Sequence, residues 1–400
     1  MTNNNVILMK ILFLLRLWPI YGGGETVTIC LANEMVKRGW DVYILYFKDN
    51  IREQLPFIDS RIKAVKIEGI DYGPSSTEKA SKLKTERKIV QDYAIQFIHN
   101  NHIDVVMNQW WPLCFIDRLK KETNAKIIKV HHIALYSIDF GNKTLKDKLK
   151  KALKGLYIKY KQYQGTKIVI NTLPYVDRYV FLSKSFQKQF EEIAHYNNLG
   201  KLDAISNPLV FNKFITAEKF AQKENYVLIV GRMREPHKKI TRAFRAWQQV
   251  EKNPISADWK LQIVGEGPDL PMYKQLANEL KLERVSFEGF QQPLPYYERA
   301  KIFLMTSSVE GFGMTLVESQ QQGVVPIVMD TFLSLHDIIT SDFNGIITPN
   351  EDETIFAEAI LSLMKDSQKL ESLAQHALVS CKKFSVENIV DKWEKLINKI

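Results

Sequence analysis

Two glutamates on either side of a glycine-containing turn are the residues of this sequence best suited to bind a polyhydroxylated ligand. Glu310 and Glu318 are eight positions apart and follow the strand-like run Ile302–Met305. A helical pattern begins near Met314, so one carboxylate lies in a loop and the other about one turn inside a helix. Carboxylates accept hydrogen bonds from the hydroxyl groups of a sugar or a ribose. By residue type alone, a structural role at a helix start is the commoner one.

The turn between these glutamates has the features of a phosphate-binding helix start. Its glycines let the backbone approach a ligand closely, and the first N–H groups of a helix are unpaired and favour an anion. The residues that we predict to contact the ligand here are Gly311, Phe312, Gly313, Met314 and Thr315.

The stretch Glu310–Pro326, which includes Glu318 and Gly323, resembles the E-x7-E signature of retaining glycosyltransferases of family 4, which have the GT-B fold. The resemblance implies that Glu310 contacts the donor sugar near its reacting end. It also implies that Glu318 binds the ribose hydroxyls, and that the chemistry needs neither a metal ion nor a covalent nucleophile.

A cluster of cations follows the strand-like run Tyr226–Val230. In the family, an arginine just after this strand and a lysine several residues later hold the donor diphosphate. Gly231 and Arg232 match that pattern directly, and the lysine is Lys238 by its spacing to the following helix. The adjacent Lys239 occupies a position where the family often has glycine, so the choice between the two lysines stays open. A solvated charge cluster is the alternative interpretation.

Two further glycine-containing turns match the family pattern more loosely. Gly23 and Gly24 lie between the first strand and the first helix, and the resemblance implies that they face the donor across a cleft between domains. A plain tight turn is the alternative there. Gly289 and Phe290 lie where the family contacts the nucleotide base through its backbone.

Paired aromatic and imidazole side chains follow two strands of the N-terminal half. Neighbouring residues on an extended chain point to opposite faces, so His131 and His132 are poorly placed to share a metal ion, and we predict no metal site. The resemblance implies that a histidine here lines the cleft near the donor sugar, with His131 as the catalytic candidate. Trp110 and Trp111 are candidates, with His132, for contacting an acceptor sugar, and packing is the alternative role for both tryptophans.

The elements that must position these residues form two α/β units. Apolar runs alternate with helical patterns up to Asn207-Pro208, where the pattern restarts, and this alternation predicts parallel sheets. We therefore expect two Rossmann-like domains, an acceptor-binding domain over 1–206 and a donor-binding domain over 207–384. The resemblance implies that the last helix, within 385–400, packs back on the first domain.

Positive charge is concentrated in the first half of the chain. Residues 1–200 contain 31 lysines and arginines against 19 acids, whereas the remainder contains 24 against 26. Nine lysines and one acid fall within 143–167, where leucines and a tyrosine recur at helical spacing. Such a helix is suited to an anionic membrane surface, and an ordinary surface helix is the alternative. The excess charge also suits a nucleic-acid binder, but no recognition motif supports that class, so we predict no nucleic acid.

The cysteine content favours a reducing compartment. Cys30, Cys114 and Cys381 form no C-x-x-C pair, so a disulfide scaffold and a zinc site are both disfavoured. The apolar run Val6–Ile20 contains Lys10 and Arg16 and is too short to span a membrane, so we interpret it as a buried strand. The predicted location is the cytoplasm, with peripheral contact to the inner face of the cytoplasmic membrane.

The resemblance predicts transfer of a hexosyl group from a nucleoside diphosphate sugar to a hydroxyl, with retention of configuration. A UDP-sugar is the favoured donor and GDP-mannose the alternative. The acceptor would be a glycan or a polyprenyl-linked glycan in capsule, O-antigen or other surface polysaccharide synthesis. The competing hypotheses are a nucleotide-sugar epimerase or hydrolase of the same fold, and a catalytically degenerate sugar-binding scaffold.

Overall fold

The structure, a computed structural model, describes residues 9–19, 23–49, 57–70, 80–136, 153–196 and 199–400. The chain divides into two compact units. Unit 1 comprises 1–210 and 386–400, and unit 2 comprises 211–385. The sequence prediction placed the corresponding divisions at 206/207 and 384/385.

Unit 1 is built on a parallel sheet with the strand order β5-β3-β1-β6-β7-β8-β9, and a short parallel pair, β2 and β4, accompanies it. The strands are β1 (Lys10–Leu14), β2 (Leu17–Trp18), β3 (Asp41–Tyr46), β4 (Lys48–Asp49), β5 (Lys63–Lys66), β6 (Val105–Asn108), β7 (Lys126–His131), β8 (Arg178–Phe181) and β9 (Leu202–Ala204). The described helices before unit 2 are α1 (Gly23–Lys37), α2 (Ala80–Asn101), α3 (Leu113–Ile116), α4 (Leu119–Glu122), α5 (Lys154–Thr172) and α6 (Lys184–Ala194), with short 3-10 helices at Leu173–Tyr175 and Leu199–Lys201.

Unit 2 contains a second parallel sheet, with the order β12-β11-β10-β13-β14-β15. Its strands are β10 (Tyr226–Val230), β11 (Lys260–Val264), β12 (Val285–Gly289), β13 (Ile302–Met305), β14 (Val325–Met329) and β15 (Ile346–Thr348). Its helices are α7 (Ala217–Ala221), α8 (Glu235–Lys238), α9 (Ile240–Glu251), α10 (Leu270–Glu279), α11 (Leu294–Arg299), α12 (Met314–Gln321), α13 (Leu335–Ile338), α14 (Glu353–Lys365) and α15 (Ser367–Ser380), with 3-10 helices at Pro254–Ser256 and Cys381–Phe384.

The last helix, α16 (Val386–Ile397), packs on α1 within unit 1. Trp393 is buried, and Arg38 at the end of α1 donates to Asp391 at 2.6 Å and to Glu394 at 3.3 Å. The apolar face of this amphipathic helix therefore packs within unit 1, against a helix about 350 residues earlier in the chain.

Local sequence accounts for most of these elements. Strands buried on both faces read as continuous apolar runs, as in β14, where all five residues are buried. Gly39 adopts φ +89° just after α1, which is the left-handed conformation that ends a helix. Helix α1 begins at Gly23, so Gly23 and Gly24 belong to the helix and not, as predicted, to a turn that precedes it.

Both sheets confirm the predicted α/β class. Among the described residues, no helix is long and apolar enough to cross a membrane.

Candidate active site

The candidate residues of unit 2 gather where the strand order of its sheet reverses. Strands β10 and β13 are neighbours, yet the chain leaves them toward opposite edges of the sheet. Ligands of open parallel sheets bind at such a switch point, outside the carboxyl ends of the strands. A small pocket lies there, lined by residues that include Gly231, Lys238, Thr306 and Ser307.

Hydrogen bonds tie the loop after β13 to the turn after β10. The Thr306 hydroxyl donates to the Lys238 carbonyl at 3.1 Å, and the Ser308 amide donates to the His237 carbonyl at 2.7 Å. The Ser308 hydroxyl donates to the Pro236 carbonyl at 3.0 Å. These bonds hold together the segments that contain Lys238, at the end of α8, and Glu310, which are 72 residues apart in sequence.

An ion pair joins these two segments. Lys238 Nζ lies 2.6 Å from Glu310 Oε1, and the two side chains are 21% and 16% exposed. The Lys238 stem packs beside Gly231, where a Cβ would lie in van der Waals contact with Lys238 Cε at 3.4 Å. Lys239 instead adopts a left-handed conformation, φ +50°, at the joint between α8 and α9. The structure therefore brings Lys238, and not Lys239, to the glutamate.

Arg232, six residues before Lys238 in the sequence, is the second cation predicted for this site. Its side chain is exposed, and among the described residues it has no carboxylate partner. An unpaired guanidinium can offer two parallel N–H groups to a phosphate.

The predicted helix start is present after Glu310. Gly313 adopts φ +99° and immediately precedes α12, so the first amides of the helix, from Met314 and Thr315, have no partner within it. Phe312 differs from the prediction in one respect. Its ring is buried and packs edge-on against Phe384, while its carbonyl accepts from the Ser334 hydroxyl at 3.0 Å. Phe312 therefore offers a ligand only its backbone.

Glu318 lies on α12, partly buried. Burial raises the pKa of its carboxyl to about 7, and the Tyr297 hydroxyl and the Lys238 charge act in the opposite direction. The Tyr297 hydroxyl donates to Glu318 Oε2 at 3.2 Å. Sequence reasoning missed Tyr297, because no motif links α11 to α12 and only the fold brings them together.

Gly265, Gly289 and Phe290 lie at the carboxyl ends of β11 and β12. A Cβ on Gly265 would meet the Gly231 carbonyl oxygen at 1.9 Å, so the turn after β11 supports the turn after β10. Gly289 ends β12 with φ +69°, and its carbonyl accepts from the Gly265 amide at 2.7 Å. Phe290 follows with 41% of its surface exposed.

In unit 1 the switch point lies between β1 and β6, and β7 follows. His131 at the end of β7 is buried, and its Nδ1 lies 2.6 Å from the Tyr179 hydroxyl. Burial, reinforced by the charge of Lys129, lowers the pKa of His131 to about 3 and that of His132 likewise to about 3. Both rings are therefore neutral at physiological pH.

The two tryptophans have different environments. Trp111 is fully buried, stacks on Phe47 with ring centroids 4.8 Å apart, and donates its indole N–H to the Leu15 carbonyl at 2.7 Å. The packing alternative thus describes Trp111. Trp110 is only partly buried and stacks on His132 at 4.6 Å, leaving it as the aromatic candidate for ligand contact.

Comparison with known proteins identifies the class of enzyme. Residues 210–378 match the sequence model of the family described as glycosyl transferases group 1. A Campylobacter jejuni protein named GalNAc-alpha-(1->4)-GalNAc-alpha-(1->3)-diNAcBac-PP-undecaprenol alpha-1,4-N-acetyl-D-galactosaminyltransferase is 24% identical over 98% of this chain and 99% of its own length. The chain is a glycosyltransferase. The prediction that it is an enzyme of this type is confirmed.

Solved structures confirm the GT-B class of this glycosyltransferase. The crystal structure of TarM has a TM-score of 0.75 at 15% identity and covers 98% of this chain and 99% of its own. HepE from Anabaena in complex with UDP has a TM-score of 0.71 at 17% identity and covers 98% and 100%.

Proposed function

We propose that this glycosyltransferase moves a hexosyl group from a nucleoside diphosphate sugar, most favourably a UDP-sugar, to a hydroxyl of a glycan or polyprenyl-linked glycan, with retention of configuration. The observation that carries the proposal is the Lys238–Glu310 pair at the unit 2 switch point, beside the start of α12. A HepE structure is titled as a complex with UDP-glucose, which supports the donor class. GDP-mannose remains the alternative donor.

In this proposal the cations hold the leaving group. Arg232, Lys238 and the first amides of α12 neutralise the charge that develops on the diphosphate as the glycosidic bond breaks. Lys238 is occupied by Glu310 in this structure, so donor binding exchanges one anionic partner for another. The released Glu310 then orients the sugar and tolerates positive charge on its ring, and Glu318 accepts from the ribose hydroxyls.

The acceptor side of the proposal rests on unit 1 and on the names of relatives. The Campylobacter jejuni relative is named for an undecaprenol-linked glycan, and a Bacillus subtilis relative, 24% identical over 75% of this chain and 52% of its own length, is named poly(glycerol-phosphate) alpha-glucosyltransferase. These names support a role in bacterial surface polysaccharide synthesis. In unit 1 we propose Trp110 and His132 as acceptor contacts, His131 as the catalytic candidate, and Gly23 and Gly24 as donor contacts.

Ligand-dependent unfolding tests the donor site. The melting temperature is measured with UDP, GDP, ADP and their common sugar conjugates. A ligand at about 100 times its dissociation constant, binding only the folded state, adds about 2.7 kcal/mol. We expect the largest shift with UDP conjugates and its loss in Glu318→Ala. No shift with any nucleotide would favour a degenerate scaffold.

A transfer assay separates the remaining alternatives. We expect the sugar to pass to an acceptor glycan, and Glu310→Gln to abolish transfer while nucleotide binding persists. Consumption of the donor at the same rate without any acceptor would favour a hydrolase or epimerase instead.

We further propose that helix α5 contacts the inner face of the cytoplasmic membrane. Residues 143–152 of the predicted basic stretch 143–167 lie outside the described residues. Beyond them, Leu156, Tyr160 and Tyr163 are 67%, 53% and 60% exposed, so this part of the apolar stripe does not pack on the core. The exposed lysines of the helix are Lys154, Lys159 and Lys167. Exposed apolar and cationic side chains on one helix fit an anionic lipid surface.

Sedimentation with lipid vesicles tests this surface. We expect binding to vesicles containing phosphatidylglycerol, weak binding to phosphatidylcholine alone, and marked weakening by Leu156→Glu. Ile355→Glu, at a 40% exposed residue of unit 2, is the matched control. Equal binding by the two variants would refute the role of α5.

A further inference from the structure

The carboxyl edge of the unit 1 sheet holds a group of side chains that the proposed donor chemistry does not use. Arg16 follows β1, Gln109 and Trp110 follow β6, and Lys129 and His132 belong to or follow β7. We call these five residues, together with His131, the Arg16 cluster. They come from three separate segments that meet at the switch point of this sheet, which is the general position for a ligand.

The cluster is compact and layered. The Arg16 guanidinium lies 5.1 Å from the centre of the Trp110 ring, and Trp110 stacks on His132. His132 Nε2 is hydrogen-bonded to the Gln109 side chain, and the Gln109 carbonyl accepts from Lys129 Nζ at 3.2 Å. A continuous chain of contacts through Trp110, His132 and Gln109 therefore connects the two cations.

The cluster has positive charge but no counter-ion. Among the described residues, neither Arg16 nor Lys129 forms an ion pair with a carboxylate. Burial, together with the charge of Arg16, lowers the pKa of Lys129 to about 7, and no acid opposes that shift. Enclosed cations without an anionic partner are costly. The site therefore gains more from an anion than from a neutral hydroxyl.

Unpaired polar atoms point to the same conclusion. Arg16 Nε, Trp110 Nε1, His131 Nε2 and His132 Nδ1 are buried and have no hydrogen-bond partner in the described part of the chain. The first two are obligatory donors. Buried polar groups are nearly always paired in folded proteins, so several unpaired ones in one cluster mark a place for a ligand or water.

We propose that Arg16, Lys129 and the Trp110 indole N–H bind a phosphate-type anion carried by the acceptor. This inference rests on the proposed function and narrows it, because it makes a phosphate ester near the receiving hydroxyl part of what the enzyme recognises. Arg16 supplies N–H groups in a fixed plane, Lys129 a point charge, and Trp110 a single N–H.

The probe is inorganic phosphate, and the signal is the indole N–H resonance of Trp110 in a two-dimensional spectrum of the ¹⁵N-labelled whole chain. The chain has seven tryptophans, and Trp110→Phe assigns the resonance. We expect phosphate, added against chloride of equal ionic strength, to shift it. Trp247, which donates to Glu251 in unit 2, provides the reference resonance that should not move.

Variants assign the anion to this cluster. Each charge-assisted hydrogen bond removed should weaken phosphate binding about 10-fold or more, so Arg16→Gln and Lys129→Met should both do so. Arg61→Gln, at an exposed arginine paired with Asp59, is the matched control and should bind phosphate as the wild type does. Circular dichroism establishes that each variant is folded, and the wild-type titration stands even if one variant is not.

Adding UDP as a second ligand distinguishes phosphate bound at the Arg16 cluster from phosphate bound at the donor site. If phosphate occupies the acceptor site, the Trp110 shift persists with saturating UDP and in Lys238→Met. A shift that UDP abolishes, or that Arg16→Gln leaves intact, would assign the anion to the donor site and overturn the proposal, as would an unmoved Trp110 resonance. Failure of the proposed function would appear separately, as an absence of UDP binding.

Discussion

Lys238 and Glu310 allow a test in which two single substitutions should change nucleotide affinity in opposite directions. If Lys238 binds the donor diphosphate, Lys238→Met removes one charge-assisted hydrogen bond, worth about 1.5–3 kcal/mol. That loss corresponds to a roughly 10- to 150-fold weaker affinity for UDP. Because Glu310 holds Lys238 at 2.6 Å, Glu310→Gln removes a competitor for the same lysine.

The gain expected from Glu310→Gln is smaller. Both side chains are still partly exposed, at 21% and 16%, so water screens their attraction, and the net value of the pair is about 1 kcal/mol. We therefore expect Glu310→Gln to bind UDP about fivefold more tightly while losing sugar transfer. UDP is the correct probe, because it lacks the sugar that Glu310 is proposed to contact.

Isothermal titration calorimetry of the wild type, both single variants and the double variant completes the cycle. The double variant should bind UDP as Lys238→Met does, because no lysine remains to be released. Lys252→Met, at an exposed lysine after α9, is the matched control, and Lys239→Met decides between the two lysines. Unchanged or weaker UDP binding in Glu310→Gln would refute the competition, and wild-type affinity in Lys238→Met would refute the assignment of the diphosphate ligand.

Three further predictions follow from burial and backbone geometry. Burial raises the pKa of Glu318 from 4.5 to about 7, so between these pH values the folded state binds a proton that the unfolded state has lost. The free energy of unfolding should therefore fall by on the order of 3 kcal/mol as pH rises from about 4.5 to about 7, and then level off. Glu318→Gln should flatten this dependence in urea titrations across pH, and a wild-type curve without slope would contradict it. Trp111→Ala should lower the free energy of unfolding, measured by chemical denaturation, by about 3–5 kcal/mol, and Trp110→Ala should lower it less. Trp110→Ala should instead raise the KM for acceptor. Equal stability losses in the two variants would contradict the different packing. Gly265→Ala should destabilise by about 1–3 kcal/mol, because its φ is +138° and its Cβ would meet a carbonyl oxygen at 1.9 Å, whereas Gly155→Ala in open space should be neutral or stabilising.

Much of the fold could be predicted because its signals are local. Strands that are buried on both faces appear in the sequence as short apolar runs, and the turns between them contain glycine. The two α/β units and their approximate division could therefore be predicted from the sequence. The Glu310–Thr315 turn was likewise legible, since its strand, its glycines and its helix are contiguous. The exact start of α1 was not, because glycine at a helix terminus carries only a small penalty.

What remained open in the sequence depended on contacts between distant segments. Spacing could not decide between Lys238 and Lys239, because that choice depends on which side chain the turn after β10 directs toward Glu310, 72 residues away. Neither could composition separate Trp110 from Trp111, since one indole packs in the core and its neighbour does not.

The sequence by itself determined the fold class and the position of the E-x7-E motif, because periodicity and turn chemistry are properties of neighbouring residues. Only the tertiary structure decided that Lys238 pairs with Glu310, that Tyr297 donates to Glu318, and that Arg16 lies over Trp110. The physical reason is that a parallel sheet orders its strands differently from the chain. The loops that meet at a switch point are therefore remote in sequence, and their mutual geometry is set by packing alone.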